Sequence, residues 1–184
     1  MNTTKWSIDP THSEVSFKVK HLVISTVTGF FKEFEGAAES DSDSFEGAKV
    51  TFAATVDSID TNQKDRDAHL KSADFFDAEN YPKLTFAGQV AKVGGDYKLV
   101  GDLEIRGNKR EVELDVDFGG VVADPWGQTK AGFEIEGKIS RKEFGLTWSA
   151  VTEAGSVVVS DQVRLHLSVQ LVKQQVEASS EATA

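Results

Sequence analysis

Eight stretches of this sequence alternate apolar and polar residues with a period of two, and this pattern constrains the fold more than any other feature. A period of two places the apolar side chains of an extended strand on one face and the polar ones on the other. In one stretch Val112, Leu114, Val116 and Phe118 alternate with acidic residues. The stretches are 15–21, 27–37, 50–56, 84–90, 97–105, 112–118, 133–139 and 163–171. The sequence therefore predicts an all-β protein of eight half-buried strands.

Turn residues separate these strands. Gly94-Gly95-Asp96 and Gly107-Asn108 are typical of tight hairpins, and Asp124-Pro125-Trp126-Gly127 is typical of a turn that proline initiates. Short connections of this kind join neighbouring strands that run antiparallel. We therefore expect neighbouring strands to be antiparallel.

One short helix is predicted at 62–76. Asn62 is suited to cap its first turn, and Asp65 complements the positive end of its dipole. Leu70, Ala73 and Phe76 would share one side.

Eight amphipathic antiparallel strands bury one face each either as two stacked sheets or as one closed barrel. Several stretches exceed the usual length of about five or six residues, which suits a tall barrel. Closure also removes the exposed edges along which such strands aggregate. The predicted fold is therefore an eight-stranded antiparallel barrel.

The interior of an eight-stranded barrel either fills with side chains or holds one small ligand. Gly29, Gly88, Gly101 and Gly137 fall in the inward phase of their strands, where they remove volume. One interpretation is that they let the strands bend, and another is that they leave the interior partly hollow. A dry apolar cavity is costly unless a ligand such as a lipid tail occupies it.

Charge and cysteine content exclude several classes of function. Thirty acidic residues against twenty basic ones give a net charge of −10, so no positive footprint for nucleic acid is apparent. The chain has no cysteine, which excludes disulfides, thiolate metal sites and a cysteine nucleophile. We predict no cofactor and no nucleic-acid partner.

The sequence also bears on location and domain organisation. Its N-terminus lacks the apolar run of a secretory signal, and no stretch approaches the roughly 20 apolar residues of a spanning helix. We expect a cytoplasmic protein without stable membrane insertion, although a chain trimmed of its signal would look the same. A single barrel domain is expected over 1–173, followed by a flexible polar tail over 174–184.

Four blocks of the sequence, in order, resemble the YceI-like, polyisoprenoid-binding family. They are "DPTHSEVSFKVKHLVISTVTGFFKEFEG", "TNQKDRDAHLKSADFFDAENYPKLTFAG", "LVGDLEIRGNKREVELDVDFGG" and "GFEIEGKISRKEFGL". The resemblance covers about 6–173. The chain departs from the family pattern at Asn108-Lys109-Arg110, where a Thr and often a Pro are usual, and at Glu143, where Asp is common.

The resemblance implies a lipocalin-like barrel with a small helix at one end. It also implies an elongated pocket for an isoprenoid or another long-chain, fatty amphiphile, and frequently a homodimer. We therefore predict a non-enzymatic lipid-binding protein that transports or stores such a molecule. The residues predicted to line the pocket are Val15, Phe17, Val19, His21, Phe31, Phe52, Val56, Leu70, Phe76, Phe86, Leu99, Leu103, Leu114, Phe133 and Ile135.

Three polar residues are candidates for contact with a ligand headgroup. His21 continues the inward phase of its strand, while Arg66 and His69 share one face of the helix, in the family's "RD.HL" motif. The alternatives are a structural histidine at a barrel end and a cluster that pins the helix to the barrel rim.

An enzyme acting on a lipid-like substrate through His21 or through Arg66 and His69 is the alternative function. Asp9, His12 and Ser13 have the residue types of a hydrolase but lie together in one loop, and no nucleophile or zinc motif is present. We predict no catalytic residues and no metal site. A filled barrel that acts as an interaction module is a third hypothesis.

Overall fold

The fold is described from a computed structural model, for residues 3–150 and 158–174. The predicted tail at 174–184 lies outside the described residues except for Gln174. Eleven strands and one α-helix are present in these ranges: β1 (Thr4–Ile8), β2 (Glu14–His21), β3 (Ser25–Phe31), β4 (Phe34–Ser40), β5 (Lys49–Thr55), β6 (Ile59–Asp60), α1 (Lys64–Lys71), β7 (Lys83–Val93), β8 (Asp96–Ile105), β9 (Asn108–Ala123), β10 (Thr129–Ser140) and β11 (Val159–Lys173).

The strands form a closed antiparallel barrel, which confirms the predicted fold. The order around the wall is β1–β4–β5–β7–β8–β9–β10–β11, and the pairing of β1 with β11 completes the ring of eight. β2 and β3 extend the wall beyond β1 and β4, because β2 pairs with the first half of β11 while β1 pairs with its last residues. β1 and β2 therefore share one position in the wall, and β3 and β4 share another.

The stretch at 27–37 was expected to be one strand, and the structure divides it. The backbone N–H groups of Lys32 and Glu33 donate to Ser58, and the chain bends between β3 and β4. β3 then pairs with β2 and β6, whereas β4 pairs with β1 and β5. Alternation continues through such a bend, so the pattern gave no sign of it.

The helix is shorter than predicted, and its N-cap lies one residue later in the chain. The side chain of Gln63, not that of Asn62, accepts a hydrogen bond from the backbone N–H of Arg66 and so caps α1. Asn62 has a left-handed backbone, with a φ of 64°. The helix ends where Ser72 caps it, and Ala73 and Phe76 follow in the connection to β7.

The core lies inside the barrel. Large apolar side chains in the inward phase of each wall strand are buried, including Phe17, Phe86, Leu99 and Leu114. We call the end with α1 and the β2–β3 hairpin the upper end, and the end with the loop 41–48 the lower end. The single α-helix of the described ranges is too short and too polar to cross a membrane.

Candidate ligand-binding cavity

The centre of the barrel is not solid. A cavity of about 210 Å³ lies among the inward side chains, which is more than ten times the ~10–15 Å³ that one water molecule needs. Within the described part of the chain, no polar atom contributes to its exposed lining. Each of the eight wall positions supplies lining residues. Such a space suits an apolar ligand, because it offers water no hydrogen-bond partners.

Most residues of the predicted pocket lie on this wall. They come from the strands of the barrel and, for Leu70 and Phe76, from α1 and the segment after it. The predicted residues that line the cavity are Val15, Phe17, Val19, Phe31, Phe52, Leu70, Phe76, Phe86, Leu99, Leu103, Leu114, Phe133 and Ile135.

Two predicted pocket residues lie elsewhere. His21 is the last residue of β2 and is half-exposed at the upper end, opposite Ser25 and Val159. Val56 is buried, but β5 ends at Thr55, and Val56 begins a short 3₁₀ turn in which its N–H donates to the carbonyl of Pro82. In both cases the alternating phase was extended beyond the part of the strand that faces the cavity.

The glycines do not create the open space in the way that the sequence suggested. A Cβ at Gly29 would lie 2.2 Å from the ring of Phe17, and one at Gly137 would lie 2.2 Å from Leu114 Cδ2. Phe17 stands directly opposite Gly29 on the neighbouring strand and covers it, and Leu114 of the neighbouring strand β9 covers Gly137. Gly88 and Gly101 face each other so closely that a Cβ on either would meet backbone. The space at each glycine is therefore occupied, and the adjacent side chain can lie against the wall.

The loop between β4 and β5 closes the lower end. The acidic, serine-rich stretch at 41–48 contains Phe45, which is only 1% exposed. Its ring packs against Trp6, Phe118 and Phe133 at centroid distances of 5.0, 5.4 and 4.9 Å. The sequence gives no periodic signal for this contact, because a single aromatic residue in a polar loop has no phase.

Two further lining residues come from the 3₁₀ turn after β10 and the segment that follows it. Arg141 is 3% exposed, and its guanidinium donates to the carbonyls of Leu146, Trp148, Val159 and Ser160. Burial lowers the pKa of this guanidinium, and the charge of Asp161 opposes that effect. Arg141 thus ties the connection between β10 and β11 to the upper end. Leu146 also lines the cavity, and neither residue could be found from strand alternation.

The predicted headgroup candidates on α1 have partners within the protein. Arg66 donates from Nε to Thr61 Oγ1 at 2.7 Å and from Nη2 to the Thr61 carbonyl. Asp67 Oδ1 accepts from both the N–H and the hydroxyl of Thr61. His69 Nε2 lies 2.9 Å from Asp74 Oδ2, and its ring packs edge-on against Trp148. These contacts are those expected of a cluster that pins the helix to the barrel.

The loop with hydrolase-type residues does not form a catalytic triad. Asp9 Oδ2 lies 2.8 Å from His12 Nδ1, but the Ser13 hydroxyl exchanges hydrogen bonds with the backbone of Gln170. Hydrogen bonds from Thr11 and His12 hold the pKa of the Asp9 carboxyl far below its usual value. In the described part of the chain, no three His, Asp or Glu residues are placed to hold a metal ion.

Comparison with known proteins identifies the family. A YceI-like domain matches residues 6–171. A UPF0312 protein of Staphylococcus epidermidis is 39% identical over 166 residues, which cover 90% of this chain and 95% of the relative. The chain belongs to the YceI-like family. The resemblance seen in its four sequence blocks is therefore confirmed.

Solved structures of YceI-like proteins have the same fold. The crystal structure of the Campylobacter jejuni YceI protein has a TM-score of 0.72 at 31% identity, and the alignment covers 86% of this chain and 91% of that protein. A polyisoprenoid-binding domain from Saccharophagus degradans has a TM-score of 0.69 and covers 92% of this chain and 98% of that domain. At 15% identity, the second likeness shows the fold alone.

Proposed function

We propose that this YceI-like protein binds a polyisoprenoid or another long-chain amphiphile in its barrel, and that it carries or stores this molecule without chemical change. The observation that supports this most is the apolar cavity enclosed by all eight wall positions. Burial of each methylene group contributes about 0.8 kcal/mol, so a long chain offers a large gross gain. Loss of translational and chain freedom offsets part of it.

The chemistry of the lining favours a ligand with a long apolar body over a polar one. A buried hydroxyl or amide in this cavity would lack hydrogen-bond partners, at a cost of about 1–3 kcal/mol for each group. A polar headgroup would therefore remain at an end of the barrel. The structural neighbour from Saccharophagus degradans is described as a polyisoprenoid-binding domain, which agrees with this choice of ligand class.

Extraction of the purified protein with organic solvent, followed by mass spectrometry, tests the proposal directly. We expect a long-chain molecule at close to one equivalent per barrel. The second measurement is a titration of the protein with a fluorescent long-chain fatty acid. Polyprenols of increasing length are then added to displace the bound probe. Repeated absence of a bound molecule, together with no saturable site in the titration, would contradict the proposal.

A cavity-filling substitution provides the matched comparison. Val116 lines the cavity, whereas Val122 on the same strand is 63% exposed on the outer surface. We expect Val116→Phe to weaken lipid binding at least about tenfold, because the added ring occupies space that the ligand needs. Val122→Phe should bind as the wild type does. Equal affinities for the two variants would place the ligand outside the barrel.

The enzymatic alternative has less support in the geometry. His21 lies outside the cavity wall, and Arg66 and His69 are engaged with Thr61 and Asp74. Turnover of a lipid-like substrate that is lost in His69→Ala while lipid binding persists would favour it. The homodimer and the cytoplasmic location remain predictions, to be checked by sedimentation velocity and by cell fractionation.

A further inference from the structure

The turn between β2 and β3 presents two aliphatic side chains to solvent at the upper end of the barrel. Val23 is 71% exposed and Ile24 is 85% exposed. Leu22 and Val23 have left-handed backbones, with φ angles of 54° and 65°, which is unfavourable for a β-branched residue. The N–H of Leu22 donates to the carbonyl of Val158, which fixes the base of the turn. We call residues 22–24 the hairpin tip.

Three cations stand side by side on the outer face of β2 and the two wall strands next to it, β11 and β10. Lys138 of β10 is opposite Arg164 of β11, which is opposite Lys18 of β2. All three side chains are exposed, and none forms an ion pair with a described residue. Like charges directly opposite each other destabilise a sheet. We call these three residues the cationic row.

Three of the nearby acidic groups have other partners. His166 Nε2 lies 2.9 Å from Glu134 Oε2 and 3.8 Å from Glu136 Oε1. Asp161 accepts hydrogen bonds from the Ser140 hydroxyl and from the Lys142 N–H. In a chain of net charge −10, three adjacent cations without an ion pair among the described residues are a local exception, and a partner of negative charge would reduce their mutual repulsion.

Acidic side chains border the cationic row on one side, because β9 pairs with β10. The outward residues Glu111, Glu113, Asp115 and Asp117 follow one another along β9. Glu111 and Glu113 lie around the same surface pocket as Lys138, so an anionic surface would repel β9 and contact the row from the side of Arg164 and Lys18. Lys20, one outward position closer to the tip than Lys18, adds to the positive side.

We propose that the hairpin tip and the cationic row dock this protein onto the surface of an anionic lipid membrane. Val23 and Ile24 would enter the interface between headgroups and acyl chains, while Lys18, Lys138 and Arg164 contact lipid phosphates. Val19 and Val163, on the inner face of the same strands, line the cavity, so docking brings that part of the barrel toward the membrane.

The combination of features selects a membrane over other anionic or apolar partners. Nucleic acid would account for the cationic row but not for two exposed aliphatic side chains at its end. A second copy packed tip to tip about a two-fold axis would cover the tip but would also bring cations toward cations. The inference goes beyond the proposed function, because docking of the surface does not require a molecule in the cavity.

Vesicle flotation with the full chain tests the proposal. The probes are vesicles of phosphatidylcholine alone and of phosphatidylcholine mixed with phosphatidylglycerol, at low and at high salt. We expect binding only to the anionic vesicles, weakened by salt. Substitution of the cationic row by glutamine should reduce affinity about fivefold for each charge removed. Val23→Ser with Ile24→Ser should reduce it about tenfold.

Matched controls alter equivalent residues elsewhere on the surface. Lys5, Lys49 and Lys92 are replaced by glutamine to give the same change in net charge, and Val93→Ser with Val122→Ser removes two other exposed valines. Both controls should bind as the wild type does.

Three outcomes would overturn the proposal. They are equal binding to neutral vesicles, equal losses in the controls, and vesicle binding that persists in the tip and row variants. Dimers that the tip variant abolishes, without any vesicle binding, would instead assign the tip to a second copy. The Val116→Phe variant distinguishes membrane docking from lipid binding in the barrel. It should lose affinity for the lipid in the cavity but still bind anionic vesicles.

Discussion

Individual glycines in this barrel determine where large side chains lie. Gly29 is covered by Phe17, which lies directly across the strand pair, and Gly137 is covered by Leu114 of the neighbouring strand. A glycine opposite a large residue lets that residue lie against the wall, and this close packing is known to stabilise glycine in strands. The open centre of the cavity is therefore a consequence of where the neighbouring side chains rest, not of the missing glycine side chain itself.

We expect Gly137→Ala to reduce both stability and lipid binding. The new Cβ would lie 2.2 Å from Leu114 Cδ2, so the leucine must rotate toward the cavity. Overpacking of this kind costs about 1–3 kcal/mol of unfolding free energy. Gly132→Ala on the same strand is the control, because its Cβ meets nothing within 4 Å. Urea unfolding and lipid titration of both variants are the measurements, and equal effects would contradict the explanation.

Asp9 contributes stability that depends on pH. Its carboxylate accepts hydrogen bonds from Thr11 and lies near His12 and Lys130, so its pKa in the folded protein is far below that in the unfolded chain, about 3.9. A depressed pKa means that the unfolded state binds the proton first as pH falls. The contribution of Asp9 is therefore complete above about pH 5 and decreases progressively below about pH 4.

The corresponding prediction compares the wild type with Asp9→Asn. We expect the variant to lose about 2 kcal/mol of unfolding free energy at neutral pH, since hydrogen bonds to a charged group are removed. The difference should shrink as the pH falls from about 4 toward 2, because the asparagine does not titrate. Asp117→Asn on the exposed face of β9 is the control. A difference that stays constant over this range would show that the Asp9 contacts are not linked to its ionisation.

The helix is held by side-chain contacts more than by an apolar face. None of the residues of α1 is fully buried, and Leu70 is its contact with the cavity. Thr61, which is 4% exposed, lies between Arg66 and Asp67 and bonds to both. This arrangement joins α1 to the segment after β6 and keeps Leu70 over the upper end.

Replacement of Thr61 by valine should loosen this end of the barrel. The variant keeps the shape of the side chain but removes the hydroxyl that serves Arg66 and Asp67, at an expected cost of about 1–3 kcal/mol. Amide hydrogens of α1 should exchange faster, and a bound lipid should dissociate faster. Thr85→Val, at an outward position of β7, is the control. Unchanged exchange in α1 would show that the helix is fixed by other contacts.

The closed wall makes the two ends of the molecule dependent on each other. β11 spans the height of the barrel and pairs with β2 at its beginning and with β1 at its end. β1 also pairs with β4 and carries the buried Trp6. Separation of β1 would therefore open the ring and expose to water the aromatic side chains that pack around Phe45 at the lower end.

We expect the barrel to unfold in a single cooperative transition. In a Trp126→Phe, Trp148→Phe variant, Trp6 is the remaining tryptophan, and its fluorescence, excited at a wavelength that tyrosine does not absorb, reports on the lower end. Its fluorescence transition in urea should coincide with the circular dichroism of all strands, as two-state behaviour requires. A fluorescence midpoint at lower urea than the dichroism midpoint would show that β1 detaches before the remaining wall unfolds.

The sequence by itself determined the wall of this barrel. Alternation placed eight segments in strands and assigned the inward phase that puts Phe17, Leu99 and Phe133 at the cavity. This succeeds because a strand that buries one face must repeat its apolar residues every second position. The family blocks added the identity of the fold.

Only the tertiary structure decided how the wall closes and how its ends are covered. The short β1, the bend between β3 and β4, the burial of Phe45 and the contacts of Arg141 depend on segments far away in the chain. Such contacts produce no periodic pattern in the sequence. The position of a single aromatic or cationic side chain in a loop depends on the space between strands that have already packed together.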